Sequence, residues 1–485
     1  MKTSFKTQYF TGLVMACVLS SSVAAAQTYR FTREEWKDPN IYSAGTAPLR
    51  TEFFSFDTRE RAEKNNPSES PYYMPLDIHT DNAVKSGKAG QSSVTVEIPY
   101  MWLDREVFLH SQLDAEAYYV KINGRTIGYV RDNVTPAEFN ISPWIVDGTN
   151  TITFEFLASD DIGRTGFQSA GIEDNVFIYS QPKIRIEDYS VTTRIDSSGT
   201  HCILRAEIAL ANDYNSREDF RVGYDIYRPD GELIHYDIKE MTLMGNSRDT
   251  VVFEQPIYKH VMDNLWSAES PKLYDMTLNI NYNKRWIEYL PIKVGFGQTE
   301  FKDGKVYRNS KPVEIKAVSY LKADKNLTPA HLKALKGAGY NTIWSVVPQP
   351  IWFYDMCEAA GMYVIENANI YSPADHATTD RTVGGTLRNN PAWLGSFMGR
   401  AQAMYARVKD RPGIIGWSIG GATGNGYNMY KVYQWMKSQD STRPVIFNYA
   451  EGEWNNDMSV SVEDGERILR ELGQEVPNSS FDTDL

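Results

Sequence analysis

The chain has 485 residues, 42% hydrophobic, 23% charged and 13% aromatic. Those fractions exclude a disordered, collagen-like or coiled-coil chain and predict two to four globular domains of ~100–200 residues each. A formal charge of -12 argues against a nucleic-acid partner and against a polybasic membrane contact, since both rest on an excess of Lys and Arg.

The first element is a targeting segment. Lys2 and Lys6 precede an apolar run from Phe10 to Leu19, and Ala24-Ala25-Ala26 forms a small-residue cleavage site. Residues 1–26 are therefore expected to be a secretory signal peptide, which makes the protein exported, periplasmic or secreted. Cys17 after Val-Met-Ala makes a lipid anchor the weaker alternative. No other stretch approaches ~18 apolar residues, so no transmembrane span is expected. Cys202 and Cys357 fall in different predicted domains, which is no disulfide framework and no metal cluster.

Residues 27–182 read as β-strands of period two, such as Ser93-Val-Thr-Val-Glu-Ile and Asn150-Thr-Ile-Thr-Phe-Glu-Phe. Asn123-Gly124 and Asp147-Gly148 are strong turn dipeptides. Residues 183–295 are again short strands, including Cys202-Ile-Leu-Arg-Ala-Glu-Ile and Tyr274-Asp-Met-Thr-Leu-Asn-Ile. Their spacing predicts a β-sandwich. From residue 296 to 485 strands and helices alternate, which predicts βα units on a parallel sheet. Strand one is expected at Val313–Val318, then a helix His331–Ala338 capped by Thr328. Further strands are expected at Asn341–Val347, Met362–Glu366, Ile414–Ile419 and Pro444–Asn448, with a sixth at Met458–Val462.

The ordered motifs resemble the β-galactosidases of glycoside hydrolase family 2. Trp36-Lys-Asp-Pro-Asn, Val107-Phe-Leu-His, Tyr119-Val-Lys-Ile-Asn-Gly and Thr135-Pro-Ala-Glu-Phe-Asn-Ile resemble the family's jelly roll. Leu265-Trp-Ser-Ala-Glu-Ser-Pro-Lys-Leu-Tyr resembles its immunoglobulin-like sandwich. Gly361-Met-Tyr-Val-Ile-Glu-Asn-Ala-Asn-Ile and Arg411-Pro-Gly-Ile-Ile-Gly-Trp-Ser-Ile-Gly resemble pieces of its (β/α)8 TIM barrel. The resemblance implies a jelly roll over 27–182, an immunoglobulin-like β-sandwich over 183–295 and a partial TIM barrel over 296–485.

The same resemblance exposes departures at the chemistry. Retaining glycosidases need two carboxylates ~5–5.5 Å apart. The family's acid/base Glu lies in Trp-Ser-Leu-Gly-Asn-Glu-Ser-Gly; here the run is Trp417-Ser-Ile-Gly-Gly-Ala-Thr-Gly. Ala422 thus stands at the acid/base position and Gly421 at the neighbouring Asn. The family's two magnesium-ligand positions are Tyr371 and Pro373, so no cofactor is expected. Thr165-Gly-Phe-Gln replaces the jelly roll's Asp-x-Trp-Arg. The 190 residues after 295 fall short of the ~250 of a full barrel, and the sequence stops at Leu485 before a recognisable strand seven, where the nucleophile is expected.

No catalytic residue is therefore assigned. Trp344, Asn369, Tyr371, Trp417, Glu451, Glu453 and Trp454 are the candidate sugar-binding residues, because they fall near predicted strand C-termini, where barrel sites assemble. Glu366, Asp375 and Asp457 are further loop carboxylates. The function expected is an exported, catalytically inactive β-galactosidase-like protein that binds carbohydrate or acts as a complex subunit. An active retaining β-galactosidase and a structural envelope-complex component are the alternatives. A barrel of six strands is also expected to leave the edges of strands one and six open to a protein partner or a second copy.

Overall fold

The computed structural model describes residues 29–132, 134–158, 173–258, 261–320 and 327–476. The segment expected to be a signal peptide, with Cys17, and the Thr165-Gly-Phe-Gln run lie outside these residues.

The first domain is a sandwich of two antiparallel sheets. One orders its strands Ser43–Ala44, Arg125–Val130, Tyr118–Ile122, Gly148–Phe156 and Gly90–Ile98. The other orders Tyr73–Pro75, Asn175–Gln181, Glu106–Gln112 and Ala137–Asn140. Leu109, Tyr118, Val120, Phe139, Ile152 and Ile178 fill the space between. The Asn123-Gly124 turn has both residues at positive φ, 52° and 79°, as a two-residue hairpin requires. The second domain packs strands Ile184–Ile195, Cys202–Asn212 and Ser247–Ile257 against a four-stranded sheet. Leu204, Ile208, Val222, Phe253 and Leu278 form that core. Cys202 and Cys357 are free and buried.

In the third domain we label strands β1 (Ala317–Tyr320), β2 (Thr342–Ser345), β3 (Tyr363–Asn367), β4 (Ile414–Ser418), β5 (Val445–Ile446) and β6 (Val462–Asp464). Besides the single turn Pro373–His376, the helices are α1 (Pro329–Gly337), α2 (Ile351–Ala360), α3 (Leu394–Val408), α4 (Tyr427–Gln439) and α5 (Gly465–Glu471). Thr328 caps α1 in a capping box with His331, which gives that histidine a structural role. Gly361 ends α2 at φ 69°. Side chains alternate across the sheet. Ala317, Trp344, Ile365, Ile415 and Ile446 share the inner cluster. Val318, Ile343, Val364, Trp417 and Val445 pack outward with the helices.

Three sequence expectations are corrected. Strand one begins at Ala317, not Val313: the Val313 N–H donates to Val306 O at 2.9 Å, in a small antiparallel sheet over residues 299–312 whose Val306 and Phe301 join the inner cluster. The sixth strand is Val462–Asp464, not Met458–Val462. It pairs in parallel with β1, Ala317↔Val462, so the sheet order is 5-4-3-2-1-6. The preceding segment instead runs along the outer side of β5. There the Asp457 N–H donates to Val445 O (2.9 Å), Asp457 Oδ2 accepts from Val445 N (2.7 Å) and Asn456 Oδ1 accepts from Phe447 N (2.9 Å). β6 therefore covers the edge of strand one that was expected to be open, and the end of the sheet order lies at β6 itself.

The domains are pinned by buried polar contacts. Arg400 of α3 and Asp132 of the first domain, both 0% exposed by side chain, pair at 3.2 Å. Asp132 also accepts from Asn369 Nδ2 (3.0 Å) and Tyr42 OH (2.8 Å). The backbone of α3 lies against the Tyr42 side chain, and a Cβ on Gly399 would overlap the Tyr42 ring, so helix propensity yields to packing there. Trp266, fully buried, joins the sandwich to the barrel: its Nε1 donates to Glu358 O at 3.1 Å.

Candidate functional site

Barrel chemistry assembles at the strand C-termini. Past β3 the chain reads Ala368 to Ser372, and past β4 Ile419 to Gly424. The two loops are joined by Gly421 N donating to Ile370 O (2.9 Å) and Ser372 N donating to Ala422 O (3.0 Å). Ala422 is 6% exposed. A methyl group at this position transfers no proton. Gly421 has room beside it, since a Cβ there would meet Tyr371 Cδ2 at 3.4 Å.

The segment 373–390 crosses from β3 over the end of β4 to the loop after β5. His376 packs edge-on against Tyr449, ring centroids 4.9 Å apart. Arg381 forms ion pairs with both Glu451 and Glu453, the latter at 2.7 Å. Glu453 also accepts from Tyr430 OH. That bond and Arg381 hold the Glu453 carboxyl below its ordinary range. Trp454 stands 55% exposed, one face stacked on Tyr430 at 5.4 Å and 24°. Tyr433 packs edge-on against the same ring at 5.5 Å, and the exposed indole and the paired carboxylates form a rim, an apolar ring beside fixed hydrogen-bonding groups.

The structure thus brings together Glu451, Glu453 and Trp454, with Tyr371 on the neighbouring loop. It does not bring Trp344, Trp417 or Asn369 to that surface. Trp344 is 5% exposed and fills the barrel interior. Trp417 faces the helices, its Nε1 donating to Asp440 Oδ2 at 2.8 Å. The cause is a one-residue register shift between β3 and β4, where Val364 pairs with Ile414 but Ile365 with Gly416. Asn369 is fully buried against Asp132. Asp457 is committed to β5 and to Lys437 at 2.8 Å. Arg381 and Tyr430, which organise the rim, carry no motif in the sequence.

The two magnesium-ligand positions do not fit a hard cation, which takes carboxylate, carbonyl or water oxygens. Tyr371 offers a phenol and Pro373 no side-chain donor at all. Among the described residues no group of three His, Cys, Asp or Glu side chains could hold a metal ion, and no helix is long and apolar enough to cross a membrane.

One carboxyl is strongly perturbed but points away from the rim. Glu366 is fully buried in the layer between β3 and α2. Tyr354 OH donates to its Oε1 at 2.8 Å, while Oε2 has no partner. Burial pushes this carboxyl up to about 8. In the unfolded chain it ionises above ~4.3. Between those values the folded state holds the extra proton, so stability falls as pH rises, by up to ~1.4 kcal/mol per pH unit. Glu366→Gln is expected to match the parent near pH 4 and to become progressively more stable than it toward pH 8 in urea titrations. Parallel pH profiles would refute this.

Models of glycosyl hydrolases family 2 match the chain in succession: the sugar binding domain over residues 54–182, the family's middle domain over 184–296 and its TIM barrel domain over 323–471. The chain belongs to glycosyl hydrolase family 2. It is 28% identical over 383 residues to a β-galactosidase of Priestia megaterium, covering 75% of this chain and 36% of the relative. A β-galactosidase of Streptococcus thermophilus is 29% identical over 366 residues, covering 71% and 34%. The chain thus spans about a third of the length of these relatives. Among solved structures, a β-glucuronidase of Bacteroides uniformis superimposes with a TM-score of 0.65 at 19% identity, covering 84% of this chain and 52% of that one. A β-D-glucuronidase of Dictyoglomus thermophilum gives 0.61 at 19%, covering 79% and 73%.

Proposed function

We propose that this chain is an exported, carbohydrate-recognising member of its family that does not hydrolyse glycosides by paired carboxylates. The observation that carries this reading is Ala422, a buried methyl at the family's acid/base position with its carbonyl bonded to Ser372. Glu451 and Glu453 do not take over that role, because Arg381 neutralises both. A general acid must hold a proton near neutral pH, and Glu453 is shifted the opposite way. The rim of Trp454, Glu451 and Glu453 supports sugar binding, and the names of the relatives favour a β-galactoside as ligand. Export rests on the basic and apolar character of residues 1–26.

The second reading, an active retaining β-galactosidase, draws on the same relatives. Nitrophenyl β-galactoside and β-glucuronide separate the two. The full chain is expected to show no turnover above buffer. Turnover that falls ~100-fold or more in Glu451→Gln or Glu453→Gln would overturn the proposal, since loss of a general acid costs about that much.

A further inference from the structure

A large cavity lies away from the rim. It is a cleft of about 1360 Å³ where the three domains meet, reaching Pro412 and Ile414 at the start of β4 and Thr442 and Arg443 before β5. It therefore opens at the N-terminal end of the barrel strands, opposite Ala422. One wall is the outer face of the four-stranded sheet of the first domain. There His110 pairs with Phe177 and with Glu138 across strands, while the alternate residues Leu109, Ile178 and Phe139 face the core. A row of rings results, half-buried but for the buried His110: Phe54 and Tyr73 at 5.8 Å, Tyr73 and Phe177 at 4.9 Å, and His110 stacked on Phe177 at 4.4 Å and 14°. On the barrel side Trp352, at the start of α2, lines the cleft and is 41% exposed.

The polar groups of the cleft say what it takes. Most of its charges are paired among themselves or with neighbours: Glu138 with Arg50, Asp355 with Arg411, Lys293 with Asp275 and Glu52 with Arg407. Arg308 instead donates to Trp266 O, Gly295 O and Thr299 Oγ1, so a charged ligand would compete with partners already in place. His110 is different. Its Nδ1 lies 3.5 Å from Glu138 Oε1, and its Nε2 is buried without any hydrogen-bond partner. A buried ring nitrogen left unbonded is unfavourable unless something completes it. Rings offering flat faces, charges largely neutralised and two unsatisfied polar atoms, His110 Nε2 and Arg407 Nη2, fit a neutral polyhydroxyl chain. The volume exceeds the ~300–1,000 Å³ of ordinary small-molecule pockets, which suits several linked sugar units.

We infer that this interdomain cleft is a second carbohydrate site that holds a neutral oligosaccharide between the Phe54–Tyr73–Phe177 row and Trp352. The inference rests on the carbohydrate reading above and adds a site on the opposite side of the barrel. The test is titration calorimetry of the full chain with β-1,4-galactotetraose, cellotetraose and tetragalacturonate. The neutral tetrasaccharides are expected to bind more tightly than the charged one. Phe177→Ala and Trp352→Ala each remove one ring and are expected to weaken binding by about 2- to 10-fold. Trp352 is exposed enough that its variant is expected to keep the parent melting curve. Weakening in either variant supports the cleft. Binding that both leave untouched overturns the cleft alone, and Trp454→Ala then shows whether the rim holds the sugar. Tighter binding of tetragalacturonate overturns the neutral ligand. No heat with any saccharide overturns this site and the carbohydrate reading together.

Discussion

Asp132→Ala is expected to destabilise the protein by about 3–5 kcal/mol, the cost of leaving a buried charge without its counterion. Arg400 has no exposed side-chain surface, so water does not solvate it once the carboxylate is gone. Four further donors, Tyr42 OH, Asn369 Nδ2 and the Val134 and Thr135 N–H groups, lose their acceptor in the same substitution. Because Asp132 belongs to the first domain and Arg400 to the barrel, the loss also loosens the joint between them. Guanidinium unfolding followed by tryptophan fluorescence reads the effect. Arg467→Ala, which breaks the exposed pairs with Glu463 and Glu471, is the control and should shift the curve by less than ~1 kcal/mol. A shift for Asp132→Ala no larger than the control's would mean that the buried pair does not hold the domains.

Trp266→Ala is expected to cost a similar ~3–5 kcal/mol, by a different mechanism: a large buried ring is removed and the cavity relaxes only in part. The indole packs edge-on against Tyr363 at 5.6 Å, lies under the Arg308 guanidinium at 5.1 Å, and bonds Glu358 O through Nε1. Its own backbone is tied to Phe296, N to O at 2.8 Å. These contacts reach the sandwich, the small sheet and β3 at once, so no single segment can move in to fill the space. Trp266→Phe should recover part of the loss, since it restores most of the ring but not the Nε1 bond. Equal destabilisation by Ala and Phe would assign the effect to that hydrogen bond alone.

Much of the architecture is legible in the sequence because its signals are local. The Asn123-Gly124 turn, the Thr328 cap, the Gly361 stop and the switch from alternating strands to βα units each depend on a few adjacent residues. The domain order follows from the motif series. What is not legible is pairing between distant segments. Nothing around Val462 announces that it lies beside Ala317, and nothing around Asp132 announces Arg400, 268 residues away. The site divides in the same way. Ala422 is visible because it sits inside a recognisable run. Trp417 sits in that same run, yet its direction depends on a register shift with β3 that only the folded sheet contains. Trp344 belongs to a strand identified correctly, but whether an aromatic near a strand end points inward or over the rim is decided by packing. Arg381 lies in a segment without periodicity, and its pairing with Glu451 and Glu453 appears only once that segment crosses β4.

The placement of β6 has a consequence for the order of events during synthesis. Strands β1 to β5 can associate as they emerge, each with the one before. The far side of β1 stays vacant until its partner arrives: Ser319 Oγ donates to Glu463 O across 144 residues of chain. Closing so long a loop is entropically slow and comes late. Until then the nascent barrel presents β1 as a bare edge, which is the surface through which growing chains pair with one another. The finished molecule hides that edge, which is bare only between the emergence of β1 and the docking of β6.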